Sequence, residues 1–169
     1  PENVRAFAGS SDPLHFTVLV NTSADRPLVV ADPGYEAPMW AAKAGGAPVI
    51  KVPLTDAKRA AKHDIKAMLA ASSNPGVIYI CNPNNPTGAC CSAGEIVEIA
   101  AVMRKHPHVW VLSDDMYEHL VFDGFQHATF AQVAPDLKDR TLTVSGVSKT
   151  YAMTGWRVGF AGGPKALIK

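Results

Sequence analysis

The chain has 169 residues, of which 47% are hydrophobic and 18% charged, and its formal net charge is +1. This balance is typical of one globular domain and excludes the low-hydrophobicity composition of disordered chains. Basic residues are scattered and no apolar run reaches the ~18 residues of a membrane span, so neither a nucleic-acid surface nor a membrane segment is predicted. We therefore expect a small-molecule ligand.

The cysteines predict the chemical environment in which the protein works. Cys81, Cys90 and Cys91 are an odd number, and two of them are adjacent. This spacing suits neither a set of disulfides nor a tetrahedral zinc site, so we predict no bound metal and a reduced, cytoplasmic protein. The chain begins at Pro1 without a targeting signal and ends within a helical pattern, which predicts that residues 1–169 are one domain cut from a longer protein at both ends.

Short runs rich in β-forming residues alternate with stretches of helical spacing along the chain. The predicted strands are 4–8, 27–31, 48–52, 77–81, 109–113, 141–145 and 158–162. The predicted helices are 11–22, 36–44, 63–71, 92–105 and 129–134. Ser92 followed by Glu95 is a capping box, which gives the fourth of these helices a defined start.

The strand patterns predict how the sheet is built. Several strands, including 77–81 and 109–113, are nearly continuous apolar runs, which indicates burial on both faces of a parallel sheet. The connection before 158–162 is too short for a crossover helix of the usual length, so this strand should run antiparallel to the others. The predicted fold class is α/β: three α/β/α layers with a mostly parallel seven-stranded sheet and one antiparallel strand.

In sheets of this kind ligands bind beyond the carboxyl ends of the strands. The first strand leads to Gly9, Ser10 and Ser11 at the start of a predicted helix, where free backbone N–H groups can bind an anion. An ordinary helix cap explains these serines equally well. The fourth strand leads to the turn-rich run Asn-Pro-Asn-Asn-Pro-Thr-Gly at 82–88, whose amides either face a ligand or simply close a rigid turn.

The fifth and sixth strands lead to residues that can carry out chemistry. Asp114 and Tyr117 follow a buried run, where a carboxylate usually has a cationic partner, although a solvated carboxylate is the plain alternative. Lys149 follows the sixth strand and should point into the same cleft, although a lysine in a loop usually lies on the surface. Arg157 opens the last predicted strand, and its planar guanidinium is a preferred partner for phosphate.

Three motifs carry a resemblance to a known family: Asn-Pro-Asn-Asn-Pro-Thr-Gly, Ser-Asp-Asp-Met-Tyr-Glu, and Ser-Lys-Thr-Tyr-Ala-Met-Thr-Gly-Trp-Arg-Val-Gly. In this order and spacing they resemble the fold type I pyridoxal-phosphate aminotransferases of classes I and II, over essentially the whole chain. Residues from about 109 onward look most like bacterial aspartate aminotransferases. Residues 1–101 look more like the histidinol-phosphate aminotransferase branch.

The resemblance implies a role for each candidate residue. Lys149 would form the Schiff base with pyridoxal 5'-phosphate, and Asp114 would pair with the pyridinium nitrogen. Gly146 departs from the hydroxyl residue that some members carry three positions before the lysine, which removes at most one phosphate contact. The other implied contacts are Tyr117 and Asn85 at the phenolic oxygen, Tyr35 on the ring face, and Arg157, Ser148, Gly9, Ser10 and Ser11 at the phosphate.

The resemblance also implies an activity: transfer of an amino group from an amino acid to a keto acid, by a homodimer with its site near the subunit interface. Another fold type I enzyme, such as a lyase or decarboxylase, is an alternative, because the cofactor core is shared and substrate contacts select the reaction. A third possibility is a cofactor-binding fragment without turnover. Family members are longer and carry a substrate-binding arginine in a C-terminal small domain.

Overall fold

The computed structural model describes residues 2–55 and 62–168, and its strands in these ranges form one seven-stranded sheet. The strands are β1 (Val4–Phe7), β2 (Leu28–Asp32), β3 (Val49–Pro53), β4 (Val77–Cys81), β5 (Trp110–Asp114), β6 (Thr141–Gly146) and β7 (Gly159–Gly162). Their order across the sheet is β1-β7-β6-β5-β4-β2-β3. Each predicted strand is therefore present.

Helices connect successive strands and one more follows the last strand, and the predicted capping box is confirmed. They are α1 (Ser11–Asn21), α2 (Ala37–Ala44), α3 (Ile65–Ala70), α4 (Ala93–Met103), α5 (Phe130–Val133), α6 (Val147–Thr150) and α7 (Lys165–Ile168), with 3₁₀ turns at Pro135–Arg140 and Thr154–Trp156. At the start of α4 the Ser92 N–H donates to the Glu95 carboxylate over 2.9 Å. Among the described helices, none has the length and apolar character needed to cross a membrane.

The sheet lies between two helical layers, because alternate residues of its strands point to opposite faces. Val29, Ile78 and Val111 belong to a core that also contains Met68 of α3 and Ile96 of α4. The neighbouring residues belong to a second core, formed with α1 and α2 by Leu28, Val77, Leu112, Leu14 and Met39. The predicted three-layer α/β/α arrangement is confirmed.

Strand β7 is the antiparallel strand, as predicted. It pairs antiparallel with both β6 and β1, whereas the pairs among β2 to β6 are all parallel. Its first residue, Gly159, lies opposite Phe7 at the end of β1 and Gly146 at the end of β6. A Cβ atom at Gly159 would lie 2.4 Å from the backbone nitrogen of Ser10, so glycine is required for this close approach.

Some predicted boundaries were wrong by one or two residues. Asp114 is the last residue of β5 rather than the first residue beyond it, because the pairing with β6 continues to Val144. Arg157 does not open β7: it has φ 52° in the left-handed region and precedes the strand, which begins at Gly159. Helix α3 begins at Ile65 because the Asp64 carboxylate accepts the N–H of Ala67 over 2.9 Å.

Candidate functional site

A cleft of about 260 Å³ lies at the sheet edge where β4, β5 and β6 end. It is lined by every residue predicted for the site except Gly9: Ser10, Ser11, Tyr35, Asn85, Asp114, Tyr117, Ser148, Lys149 and Arg157. A larger, mainly apolar pocket of about 760 Å³ adjoins it through Asn85 and Tyr117, but that pocket contains neither Lys149 nor Asp114. The smaller cleft is therefore where the reactive groups meet.

Asp114 is a buried carboxylate held by two neutral donors. The Tyr79 hydroxyl donates to its Oδ2 over 2.7 Å, and the Met116 N–H donates to its Oδ1 over 3.2 Å. Burial raises the pKa of Asp114 to about 6, although both hydrogen bonds act in the opposite direction. Within the described residues no cationic side chain forms an ion pair with it, so its position suits a cationic N–H group of a ligand.

Asn85 and Tyr117 form a pair of polar groups beside Asp114. The Asn85 amide donates to the Tyr117 hydroxyl over 3.3 Å. The loop that carries Asn85 is closed by Asn82, whose side chain accepts the Cys91 N–H over 2.8 Å and donates to the Cys91 carbonyl over 3.3 Å. Burial raises the pKa of Tyr117, which keeps its hydroxyl protonated as a hydrogen-bond donor.

Lys149 lies in the single turn of α6, which follows the end of β6 directly. Its side chain is exposed and lines the cleft, whereas the neighbouring Ser148 is buried. A Cβ atom at Gly146 would lie 3.0 Å from the Val158 carbonyl oxygen, so the close contact of β6 with the start of β7 leaves little room for a side chain there. The departure at Gly146 thus matches the local packing.

Arg157 and Gly9 form the end of the cleft nearest to α1. The guanidinium lies so close to Gly9 that a Cβ atom there would be 2.1 Å from its Nη2, and Gly9 has φ +106°. Arg157 also donates to the Thr154 carbonyl over 2.9 Å. Ser10 is the N-cap of α1 but makes no side-chain capping bond. A fixed cation beside a helix N-terminus is an arrangement that binds phosphate.

Sequence reasoning missed two contacts behind the cleft. One is the bond from Tyr79 to Asp114, and the other joins Asp115 to His127, whose Nε2 is 3.4 Å from the Asp115 carboxylate. Asp115 also accepts the Ser113 hydroxyl over 2.7 Å. A tyrosine within an otherwise apolar buried strand was the one available signal, because a buried phenol usually has a hydrogen-bond partner.

Comparison with known proteins agrees with this geometry. Residues 4–169 match the family model of class I and II aminotransferases. The chain belongs to this aminotransferase family. These aminotransferases are enzymes that depend on pyridoxal phosphate, so the family resemblance predicted from the motifs is confirmed.

The aminotransferases that it resembles are considerably longer. An aspartate aminotransferase of Rhizobium meliloti is 60% identical over 92 residues, which are 54% of this chain and 22% of that protein. The crystal structure of the aspartate aminotransferase from Rhizobium meliloti superimposes with a TM-score of 0.89 and 36% identity, over 99% of this chain and 42% of that one. For N-succinyldiaminopimelate aminotransferase from Mycobacterium tuberculosis the TM-score is 0.90 with 31% identity, over 98% and 43%. The chain thus spans less than half of these aminotransferases.

Proposed function

We propose that this chain is the cofactor-binding core of a pyridoxal-phosphate-dependent aminotransferase, which moves an amino group from an amino acid to a keto acid. The observation that supports this most strongly is the convergence of Lys149, Asp114 and Arg157 on one cleft. A primary amine, a buried carboxylate and a guanidinium are the groups needed for an aldehyde, a ring nitrogen and a phosphate.

The polar and charged groups of the cleft match the functional groups of this cofactor along its whole length. The phosphate is assigned to Arg157, whose guanidinium occupies the space that a side chain at position 9 would fill. The carboxylate of Asp114 is assigned to the ring nitrogen, because its described partners are neutral. The remaining assignments are Ser148 and the backbone of Gly9, Ser10 and Ser11 at the phosphate, Asn85 and Tyr117 at the phenolic oxygen, and Tyr35 on the ring face.

Lys149 serves both as nucleophile and as proton carrier in this proposal. When bound, pyridoxal phosphate supplies an aldehyde carbon and a ring that accepts the electron pair left by a departing α-proton. Through its Nζ atom Lys149 would hold the aldehyde carbon, with water as the leaving group, until a substrate amine takes its place there. The freed Nζ would then be the group that carries the proton of the substrate α-carbon to that carbon.

Asp114 holds a proton on the ring nitrogen. Burial raises its pKa only to about 6, which is still below neutral pH, so the carboxylate is mainly ionised in the free cleft at pH 7. A positively charged N–H beside it favours the ionised form further and lowers this pKa. Asp114 would thereby keep the ring nitrogen protonated, which is the state in which the ring accepts electrons best.

The proposal extends to the assembly and the compartment of the protein: a homodimer in the cytoplasm. Tyr151 and Trp156 are close in sequence to Lys149 and Arg157 and are 65% and 71% exposed, which gives a second subunit apolar surface to cover. The three cysteines are free thiols, as expected for a reducing compartment. Sedimentation should show a dimer when cofactor is bound, and a monomer at high concentration would contradict this assembly.

The decisive experiment is a spectrum of the purified chain with pyridoxal phosphate, followed by addition of aspartate without keto acid. Conversion of the bound cofactor to pyridoxamine phosphate supports amino transfer. Release of ammonia or carbon dioxide without that conversion supports a lyase or decarboxylase. Cofactor binding without reaction of any amino acid supports a fragment without turnover, an alternative consistent with the 42% of the Rhizobium meliloti structure that the chain covers.

A further inference from the structure

Tyr79 lies beneath Asp114 in the sheet, on the side away from the cleft. In the parallel pairing of β4 with β5, Cys81 lies opposite Asp114 and Tyr79 lies opposite Leu112. Tyr79 is 2% exposed, and its hydroxyl contacts the Asp114 carboxylate on the neighbouring strand β5. Tyr79 does not line the cleft itself. Its hydroxyl therefore contacts Asp114 from the interior and leaves the cleft side of the carboxylate available to a ligand.

We infer that Tyr79 is a positioning residue for the cofactor, which orients the Asp114 carboxylate and keeps it ionised for pairing with the ring nitrogen. This inference rests on the proposed function. The bond from Tyr79 is 2.7 Å long, whereas the Met116 N–H bond is 3.2 Å long. Short hydrogen bonds to an ionised acceptor are the stronger ones. Burial raises the pKa of Tyr79 well above its usual value, so the hydroxyl remains a donor.

The other titratable groups near Asp114 do not donate a hydrogen bond that keeps its carboxylate ionised. Asp115 raises the pKa of Asp114. Cys81 carries a thiol whose pKa is raised well above its usual value by burial, and the thiol donates to the Pro83 carbonyl over 3.2 Å. Among the described residues, the titratable groups that interact with Asp114 or share its cleft are Tyr79 and Cys81 on β4, Asp115 and Tyr117 at the end of β5, Tyr35, Lys149 and Arg157. Within this set Tyr79 is the side chain whose hydrogen bond lowers the pKa of Asp114.

The consequence is a defined change in the pH dependence of cofactor binding. Tyr79→Phe removes the hydroxyl and keeps the ring, so Asp114 loses a donor and its pKa rises further above the usual range. A protonated Asp114 cannot pair with a cationic ring nitrogen. Binding should therefore weaken on the acidic side of the pH profile and stay unchanged on the basic side.

The test is calorimetric titration of the chain with pyridoxamine phosphate, which has no aldehyde and so does not bond covalently to Lys149. Affinity is measured from about pH 5 to about pH 8 for the wild type, Tyr79→Phe and Asp114→Asn. The wild-type profile should have a midpoint that Tyr79→Phe moves upward by about one unit, with roughly tenfold weaker binding below it. Asp114→Asn should lose this midpoint.

Each outcome separates the inference from the function on which it rests. If the wild type does not bind pyridoxamine phosphate, the proposed function itself fails. If Asp114→Asn loses the midpoint but Tyr79→Phe keeps the wild-type value, or weakens binding equally at every pH, the positioning role is wrong. Thr141→Val is the matched control, because it removes another buried hydroxyl, which donates to the Leu137 carbonyl over 2.9 Å at the far end of β6. That variant should keep the wild-type midpoint.

A second replacement covers the case in which Tyr79→Phe does not fold. Substituting 3-fluorotyrosine at Tyr79 retains the ring and the hydroxyl and makes the hydroxyl a stronger donor. The midpoint should then move downward, opposite to the shift in Tyr79→Phe. An unchanged midpoint in this variant would also overturn the inference.

Discussion

Two buried carboxylates are adjacent in sequence at the end of β5, and their hydrogen-bond partners differ in kind. Asp114 is 4% exposed and faces the cleft, where its described partners are the neutral donors Tyr79 and Met116. Asp115 is 1% exposed and is held by Ser113 and His127. Asp114 is the last residue of β5 and Asp115 is the first residue beyond it, so one sequence position separates the two environments.

A buried carboxylate without a cationic partner can indicate a ligand site. Burying an ionised carboxylate without a cation costs several kcal/mol, and the raised pKa of Asp114, about 6, reflects this cost. A bound cation offsets the cost when it arrives. At Asp115, where burial also raises the pKa, His127 and Ser113 act in the opposite direction from within the chain itself. In the proposed function the first arrangement serves binding, whereas the second serves the fold.

The largest expected effect on the cleft follows from removing its amine. Lys149→Ala should abolish covalent attachment of pyridoxal phosphate, because no other lysine lines the cleft among the described residues. Mass spectrometry after borohydride reduction measures the attachment directly. Lys51→Ala and Lys165→Ala are controls, since both lysines form exposed ion pairs and should remain dispensable. Undiminished labelling of Lys149→Ala would show that the nucleophile is a different lysine.

The next largest effect should come from Asp114. Asp114→Asn keeps the shape of the side chain but cannot hold a proton on the ring nitrogen, so the reaction loses electrostatic stabilisation. Such a loss is commonly worth on the order of 3 kcal/mol, which corresponds to at least about a hundredfold lower rate of amino transfer. Single-turnover conversion of the cofactor to pyridoxamine phosphate measures it. A rate within about tenfold of the wild type would contradict the role given to Asp114.

A smaller effect should follow from filling the space beside Arg157. Gly9→Ala places a Cβ atom where Nη2 of Arg157 lies and strains a residue with φ +106°. Pyridoxamine phosphate should bind roughly tenfold more weakly because a charge-assisted hydrogen bond is lost. Pyridoxamine without phosphate should bind as before. Gly46→Ala is the matched control: its φ is +76°, but nothing lies within 4 Å of the added atom.

The smallest effect on the cleft is expected from the second carboxylate. Asp115→Asn should lower the free energy of unfolding by about 1–3 kcal/mol, because the half-buried imidazole of His127 loses its ionised partner. Affinity for pyridoxamine phosphate should change by less than about twofold. Urea denaturation measures the first quantity, with the exposed Asp25→Asn as a control that stays within about 0.5 kcal/mol. A large loss of affinity in Asp115→Asn would erase the distinction between the two carboxylates.

The sequence predicted the sheet and most of the cleft because both depend on local patterns. Apolar runs between turn-forming residues identify strands such as β4 and β5, and a short connection identifies β7 as antiparallel. The rule that ligands bind beyond the carboxyl ends of strands then placed Asn85, Asp114 and Lys149 in one cleft, as observed. Their roles toward the cofactor stay predictions until the variants are measured.

The contacts behind the cleft could not be predicted, because they depend on the register of paired strands and on the path of the loop that follows β5. Nothing local in the sequence links Tyr79 to Asp114, which are 35 positions apart, or His127 to Asp115 across an irregular loop. The pairing of Cys81 with Asp114 is what places the phenol within reach of the carboxylate. Short elements such as α6, with four residues, contain too few residues to show a helical period.

The position of β7 has a consequence for when the phosphate end of the cleft can assemble. Val4 of β1 pairs with Gly162 of β7, so β1 is synthesised long before the strand that pairs with it. The Gly9 loop and Arg157 consequently reach their positions together, after the loop between them has closed at its entropic cost. If Arg157 and the Gly9 loop hold a phosphate as proposed, a nascent chain that lacks β7 has an incomplete phosphate site. Retention of a phosphorylated ligand would then report that the sheet has been completed.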